Sequence, residues 1–312
     1  MAERETATIF APASVGNVAV GFDVLGHAVQ GAGDTVTVER CPERGEIRVV
    51  EVTGGVTDLP RAQGENTASA AAAAMASALG LGSGFQIRLH KGIPLGSGMG
   101  GSAASAVGAV VALNQLLRAP LPLDALYPFA LVGEAVASGG AHGDNVAPCL
   151  VGGLTVVGPA LGARVIRVPT PAELRCVLVH PELRLDTRDS RAALPGSVPL
   201  ATVVAQTANL AALICACFHG DLELLGRALR DVMIEPHRGG GIPGFASVQA
   251  AAMDQGALGC SVSGAGPSVF AWFTDEARAG AGLLSMKRAF TDAGQQAEGF
   301  ITPVGGPGAR RV

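Results

Sequence analysis

Between Pro94 and Ser105 the chain reads Pro-Leu-Gly-Ser-Gly-Met-Gly-Gly-Ser-Ala-Ala-Ser, with four glycines in the six residues Gly96 to Gly101. Glycines at that density let the backbone turn tightly and present successive N–H groups with no Cβ in the way. A long apolar helix is predicted from about Ser102 to Leu117, so its unpaired amides and positive end face the same loop. An anion, above all a phosphate, is what such a loop can hold. A plain strand-to-helix connection needs only about two to six residues and one or two glycines.

Two familiar phosphate loops fit poorly. Gly96-x-Gly98-x-x-Gly101 matches the dinucleotide fingerprint in form, but that fingerprint wants an acidic residue ending a second strand about 20 residues on. Here the helix is still running at Leu116, and Asp124 follows Ala-Pro-Leu-Pro-Leu rather than an apolar strand. A Walker A loop is excluded because no Gly-Lys-Ser/Thr occurs. The chain has only two lysines, Lys91 and Lys287, and neither follows a glycine.

The elements that must carry this loop alternate along the chain. Residues 35–39, 46–52 and 85–89 alternate apolar and polar side chains, as half-buried strands do. Asn66 can cap an alanine-rich helix over 67–79. A helix over 123–138 and a polar loop over 139–148 follow, then strand-like runs at 154–157, 164–168 and 176–180. The second half reads as helices at 199–218, 221–233, 243–255 and 275–293, with a hairpin over 258–273 turning at Ser263–Pro267 and a last strand at 297–302. This is an α+β pattern, expected as a mixed sheet backed by helices on one face. Prolines 159, 169 and 171 suggest a division into residues 1–165 and 166–312.

Composition bounds the function classes. The chain of 312 residues is 48% hydrophobic and 15% charged, as packed proteins are. Its net charge of −4 gives no pull toward nucleic acid or anionic membrane. The runs 103–113 and 210–218 are too short to span a bilayer. Met1-Ala2-Glu3-Arg4-Glu5 opens without a basic stretch and apolar run, so no signal peptide is expected. Six scattered cysteines are expected as reduced thiols in the cytoplasm.

The loop resembles the P-x-x-x-G-L-G-S-S-A motif of the GHMP kinases, the superfamily of galactokinase, homoserine kinase, mevalonate kinase and phosphomevalonate kinase. The matching residues are Pro94, Gly98, Met99, Gly100, Gly101, Ser102 and Ala103. Met99 replaces leucine, and Gly101 replaces the first serine. Two more motifs follow the family's order. Pro12-Ala13-Ser14-Val15-Gly16-Asn17-Val18-Ala19-Val20-Gly21-Phe22-Asp23 looks like the opening of the homoserine kinase branch. Ser261-Val262-Ser263-Gly264-Ala265-Gly266-Pro267-Ser268 looks like the glycine-rich motif that packs against the phosphate loop. Gly140–Pro148 and Glu235–Arg238 also have counterparts, so the likeness runs from about residue 8 to 302.

The resemblance implies a two-domain fold, with an N-terminal domain like the second domain of ribosomal protein S5 and a ferredoxin-like C-terminal domain. It implies ATP, held by Pro94, Leu95, Gly96, Ser97, Gly98, Met99, Gly100, Gly101, Ser102, Ala103 and Ala104, and Mg²⁺ held by Ser102 and Glu134. Asn66 is either an adenine contact or a simple N-cap. For L-homoserine, the resemblance gives Asp23 to the ammonium, Asn17 and Asn145 to the hydroxyl, and Arg191 and Arg238 to the carboxylate. Thr187 stands four residues before Arg191, as a threonine does in relatives. Arg191 also sits in a charge-rich turn that a solvated surface would explain. Asp144 is either a general base or a neighbour of a hydroxyl that attacks without one, and His142 is a further substrate contact. The implied product is O-phospho-L-homoserine, in threonine biosynthesis, made by an enzyme without nucleic-acid or membrane partners, with a homodimer expected. Kinases of other small alcohols, such as mevalonate or shikimate, a diphosphomevalonate-type decarboxylase and a nucleotide sensor without turnover are the competing readings.

Overall fold

In the computed structural model, which describes residues 4–312, the chain builds two antiparallel-rich sheets that meet where β10 packs on β2. Residues 1–3, part of the opening read for a signal peptide, lie outside the described residues. The first half supplies β1 (Thr6–Gly16), β2 (Leu25–Cys41), β3 (Ile47–Gly54), α1 (Thr67–Ala78), β4 (Gly84–Lys91), α2 (Gly101–Gln115), α3 (Tyr127–Ser138), α4 (Val146–Val151), β5 (Leu154–Val156) and β6 (Ile166–Val168). The second half supplies β7 (Arg175–Pro181), α5 (Thr187–Ala192), α6 (Leu200–His219), α7 (Leu222–Ala228), α8 (Glu235–Arg238), α9 (Phe245–Asp254), β8 (Gly259–Val262), β9 (Val269–Phe273), α10 (Glu276–Asp292), β10 (Ala297–Pro303) and β11 (Arg310–Arg311).

The first sheet runs β11-β1-β2-β4-β3, with β5 and β6 extending from β2. The second runs β10-β7-β9-β8. The sequence pattern suggested one mixed sheet; instead the α+β architecture divides between two. The 165/166 division falls inside the β5–β6 hairpin, and the chain returns to the first sheet through β11.

Helix α2 is apolar on every side and buried from Ala103 to Asn114, as a central helix must be. It packs on β1 and β2, and α1 and α3 lie against it. Alanine lets these helices approach closely. Gly133 takes this furthest: a Cβ there would lie 2.8 Å from those of Ala71 and Ala106 and collide with the Thr67 carbonyl. That approach aims the next residue, Glu134, toward the start of α2.

Three readings of the sequence are corrected here. Residues 6–16 form the long strand β1, which alternation did not reveal because Ala11 to Gly16 is buried on both faces. Part of the polar loop at 139–148 begins α4, and the helix expected over 221–233 ends at Ala228. After it, Asp231 accepts hydrogen bonds from the N–H groups of Met233, Ile234 and Glu235, an alternative to helix that acidic side chains offer.

Candidate active site

The sheets and α2 enclose one cleft of about 310 Å³. Its floor is the glycine-rich loop. Gly96, Gly98 and Gly100 have φ of +60°, +74° and +70°, which a side chain would strain. The loop is fixed by its acceptors. The carbonyl of Gly96 accepts from Leu185 N (2.9 Å), that of Ser97 from Ser268 Oγ (2.6 Å), that of Gly98 from Ser263 Oγ (2.7 Å) and that of Met99 from Ser14 N (3.1 Å). Four successive carbonyls are thus tied outward to both halves of the protein. Among the described residues no N–H from Leu95 to Gly101 has an acceptor, so those donors remain for an anion.

Beside the loop stands Glu134. It is buried, and its Oε2 has no hydrogen-bond partner among the described residues. Burial pushes its carboxyl up to about 8, opposed by a hydrogen bond from Ser102. A hydroxyl and an orphaned carboxylate oxygen at the mouth of a phosphate loop are hard oxygen donors, the set a Mg²⁺–nucleotide takes from protein. The residues therefore fit that ion. No group of three or more His, Cys, Asp or Glu occurs among the described residues that could form an all-protein metal cage.

The other end of the cleft carries paired charge. After β1 the chain makes a left-handed turn, with φ of +66° at Asn17, +42° at Val18, +57° at Ala19 and +60° at Asp23. Such conformations are costly away from glycine and persist where the surroundings enforce them. Here Asn17 enforces them: its Oδ1 accepts from Asp23 N (3.0 Å), its Nδ2 donates to Gly264 O (2.9 Å), and its own N–H donates to Asp144 Oδ2 (3.1 Å). Asp23 accepts from Arg191 Nη2 at 2.7 and 2.8 Å and lies 3.4 Å from His142 Nδ1. Arg238 donates to Gly264 O at 2.6 Å, and the guanidiniums of Arg191 and Arg238 lie over the Phe22 ring at 5.1 and 5.2 Å. Burial lowers the pKa of Arg238, and neighbouring Arg191 adds to the effect. Burial likewise lowers His142, with Asp23 opposing. Asp144 is buried, and that burial pushes it up to about 7, with the Asp23 charge adding. Asn145 Oδ1 accepts from Ser14 Oγ at 2.9 Å.

Asn17, Asp23, His142, Asp144, Asn145, Thr187, Arg191 and Arg238 therefore share one cleft with Pro94 to Gly98, Gly100 to Ser102 and Glu134. Arg191 is part of the helix α5, capped by Asp186, rather than of a bare solvated turn. Four expected nucleotide residues have side chains that do not line the cleft. Asn66 caps α1: its Oδ1 accepts from Ala68 N and its Nδ2 donates to Pro60 O, so both ends of the amide are used. Met99, Ala103 and Ala104 are core side chains, and the Ala104 N–H is spent on Gly100 O. Arg184, Leu185, Ser138 and Leu59 line the cleft unforeseen; only Arg184 carried a signal, as a cation just before a helix cap. Lys91 lies beneath the loop, buried and ion-paired with Asp34, donating to Gly101 O and Ser105 Oγ at 2.9 Å.

The sequence profile described as GHMP kinases N terminal domain matches residues 66–153, and that described as GHMP kinases C terminal matches 210–292. The homoserine kinase of Xylella fastidiosa (strain 9a5c) is 48% identical over 304 residues, covering 97% of this chain and 93% of its own length. That of Chlorobaculum tepidum is 41% identical over 319 residues, covering 99% and 98%. The chain belongs to the homoserine kinase branch of the GHMP kinases. A solved homoserine kinase from Cytophaga hutchinsonii superposes with a TM-score of 0.96 at 39% identity, covering 100% of this chain and 99% of that one. The mevalonate kinase of L. major, solved with R-mevalonate, shares the GHMP fold with a TM-score of 0.69 at 16% identity, over 94% and 95% of the two chains. The cleft thus lies in a kinase, and in this chain Ser263 and Ser268 of the second glycine-rich motif bond directly to the loop at 94–102.

Proposed function

We propose that the protein transfers the γ-phosphoryl group of ATP to the hydroxyl of L-homoserine, giving O-phospho-L-homoserine and ADP in threonine biosynthesis. The observation that carries this is the charged end of the cleft, where Asp23 stands between Arg191 and His142 with Arg238 beside them. A zwitterionic amino acid matches both signs. Mevalonate and shikimate carry no ammonium and would leave Asp23 without a substrate partner.

In this proposal the loop amides and the start of α2 cradle the phosphates, and Ser102 and Glu134 hold Mg²⁺. When bound, that ion neutralises charge on the transferring group. Asp23 takes the ammonium, the two arginines take the carboxylate through their guanidinium forks, and Asn17, Asn145 and Thr187 orient the hydroxyl end, with His142 closing the pocket. The hydroxyl oxygen forms a bond to the γ-phosphorus as the bond to the β-phosphate oxygen breaks. Its proton leaves to Asp144 or directly to solvent. ADP formation with homoserine, measured against mevalonate, shikimate and other alcohols with carbon dioxide release monitored, tests the proposal. Turnover confined to another alcohol, or carbon dioxide release, overturns it.

A homodimer working in the cytoplasm belongs to the same proposal. Leu200, Val204 and Phe218 on α6 are 77%, 61% and 60% exposed, and the helix contains no Asp, Glu, Lys or Arg. By length and composition alone α6 could cross a membrane, which the shorter run 210–218 did not suggest. An uncharged face can meet its own copy with no like-charge repulsion, as a two-fold interface requires. Light scattering of Val204→Glu should show a monomer; an unchanged mass, or wild-type protein that sediments with lipid vesicles, counts against the dimer face. The buried thiols of Cys149, Cys176, Cys217 and Cys260 are free, as a reducing compartment keeps them.

A further inference from the structure

We propose that Arg184 is a nucleotide-binding residue that meets the phosphates remaining on ADP, an assignment that rests on the ATP-dependent kinase reading above. Arg184 lies in the segment between β7 and α5, and this segment is pinned to the phosphate loop by the 2.9 Å bond from Leu185 N–H to Gly96 O. The side chain runs across the loop. A Cβ at Gly96 would fall 2.6 Å from Arg184 Cγ, so glycine there makes room for the arginine stem as well as for the turn. Both Arg184 and the loop line the same cleft.

The other cations nearby are committed. Lys91 is buried on Asp34 and Ser105. Arg191 is held by both oxygens of Asp23, and Arg238 by the Gly264 carbonyl. Among the described residues no carboxylate pairs with Arg184. Even with Mg²⁺ at Ser102 and Glu134, a nucleotide triphosphate keeps more negative charge than backbone amides and one helix end, with their partial charges, can balance. The family's loop has no Walker-type lysine to supply the rest. A guanidinium supplies it, with donors arranged as a fork that suits phosphate oxygens. Gly96 opens the loop, whereas Ser102 stands at its far end close to Gly100, where a Cβ would fall 3.0 Å from Asn145 Oδ1. Arg184 therefore serves the phosphates that stay with the leaving nucleotide rather than the group being transferred.

Calorimetric titration of ADP and of adenosine into wild type, Arg184→Gln and Arg184→Lys tests this, together with steady-state kinetics. Arg184 is exposed, so both variants should fold. Arg184→Gln should weaken ADP about tenfold, leave adenosine unchanged, raise KM for ATP by a similar factor and keep KM for homoserine within about twofold. Arg184→Lys should recover part of the loss. Unchanged ADP affinity in Arg184→Gln, or an equal loss for adenosine, overturns the assignment. If wild type fails to phosphorylate homoserine while Arg184→Gln still weakens ADP, the substrate proposal falls and the Arg184 assignment stands. If wild type binds no ADP, both fall.

Discussion

Replacing Asp23 by Asn perturbs the charged end of the cleft with almost no change of shape. In the structure this carboxylate accepts twice from Arg191 Nη2, at 2.7 and 2.8 Å, and faces His142 at 3.4 Å. In the proposed complex it meets the homoserine ammonium. Removing one partner of a buried charge pair costs about 2–5 kcal/mol. The side chains of Asp23 and Arg191 keep 28% and 36% of their exposure, so water screens part of the interaction. The lower half of the range applies, about 2–3 kcal/mol, or roughly 30- to 150-fold in kcat/KM for homoserine. In the proposal ATP is held by the 94–102 loop, apart from Asp23, so KM for ATP should stay within about twofold. Coupled ADP-release assays with each substrate varied in turn give both numbers. A rise in KM for ATP matching the loss for homoserine, or homoserine kinetics equal to wild type, would refute the reasoning even if the kinase assignment held.

Three further outcomes are expected. Ser102→Ala and Glu134→Gln should each cut kcat at least about tenfold with unchanged circular dichroism; Gln is tolerated because burial already favours the neutral acid at Glu134, and wild-type turnover in both variants would remove the Mg²⁺ assignment. Lys91→Ala should lower the unfolding free energy by about 3–5 kcal/mol in urea melts, because it strands the fully buried Asp34 carboxylate; a stable variant with a raised KM for ATP would show instead that Lys91 binds phosphate. His27 is buried with a pKa lowered from 6.5 to about 4 by desolvation, and its Nε2 accepts from Trp272 Nε1 at 3.3 Å. The unfolded chain therefore binds the extra proton between those values, so this residue's contribution is intact above pH 6.5 and is lost as pH falls toward 4. Urea midpoints should drop between pH 6.5 and 5 in wild type and drop less in His27→Gln; parallel slopes would place the acid sensitivity elsewhere.

What the sequence disclosed was local. The density of glycines at 96, 98 and 100 reports a tight turn, Asn66 before an alanine run reports a cap, and the twelve residues from Ala103 to Asn114 report a buried helix. What it withheld depends on partners distant along the chain. Lys91 and Asp34 are 57 residues apart, and nothing near either predicts their pairing. Arg184 acquires meaning only when Leu185 bonds to Gly96. The strand β1 was masked because burial on both faces erases the period of two that exposes a strand.

Asp23 and Arg191 show the same limit at the site itself. Resemblance gives them separate tasks, one for an ammonium and one for a carboxylate, yet across 168 residues they hold each other. Within a partly buried cleft, either charge left without a partner would be costly. Their mutual bond offsets that cost. A zwitterion can take the place of this internal pair sign for sign, its ammonium succeeding the guanidinium at Asp23 and its carboxylate succeeding Asp23 at Arg191. A ligand of one sign can satisfy only one of the two and leaves the other exposed to the cleft. In the proposed complex, selectivity for an amino acid over an anionic alcohol would thus follow from the pair the substrate must part, as well as from the contacts it makes.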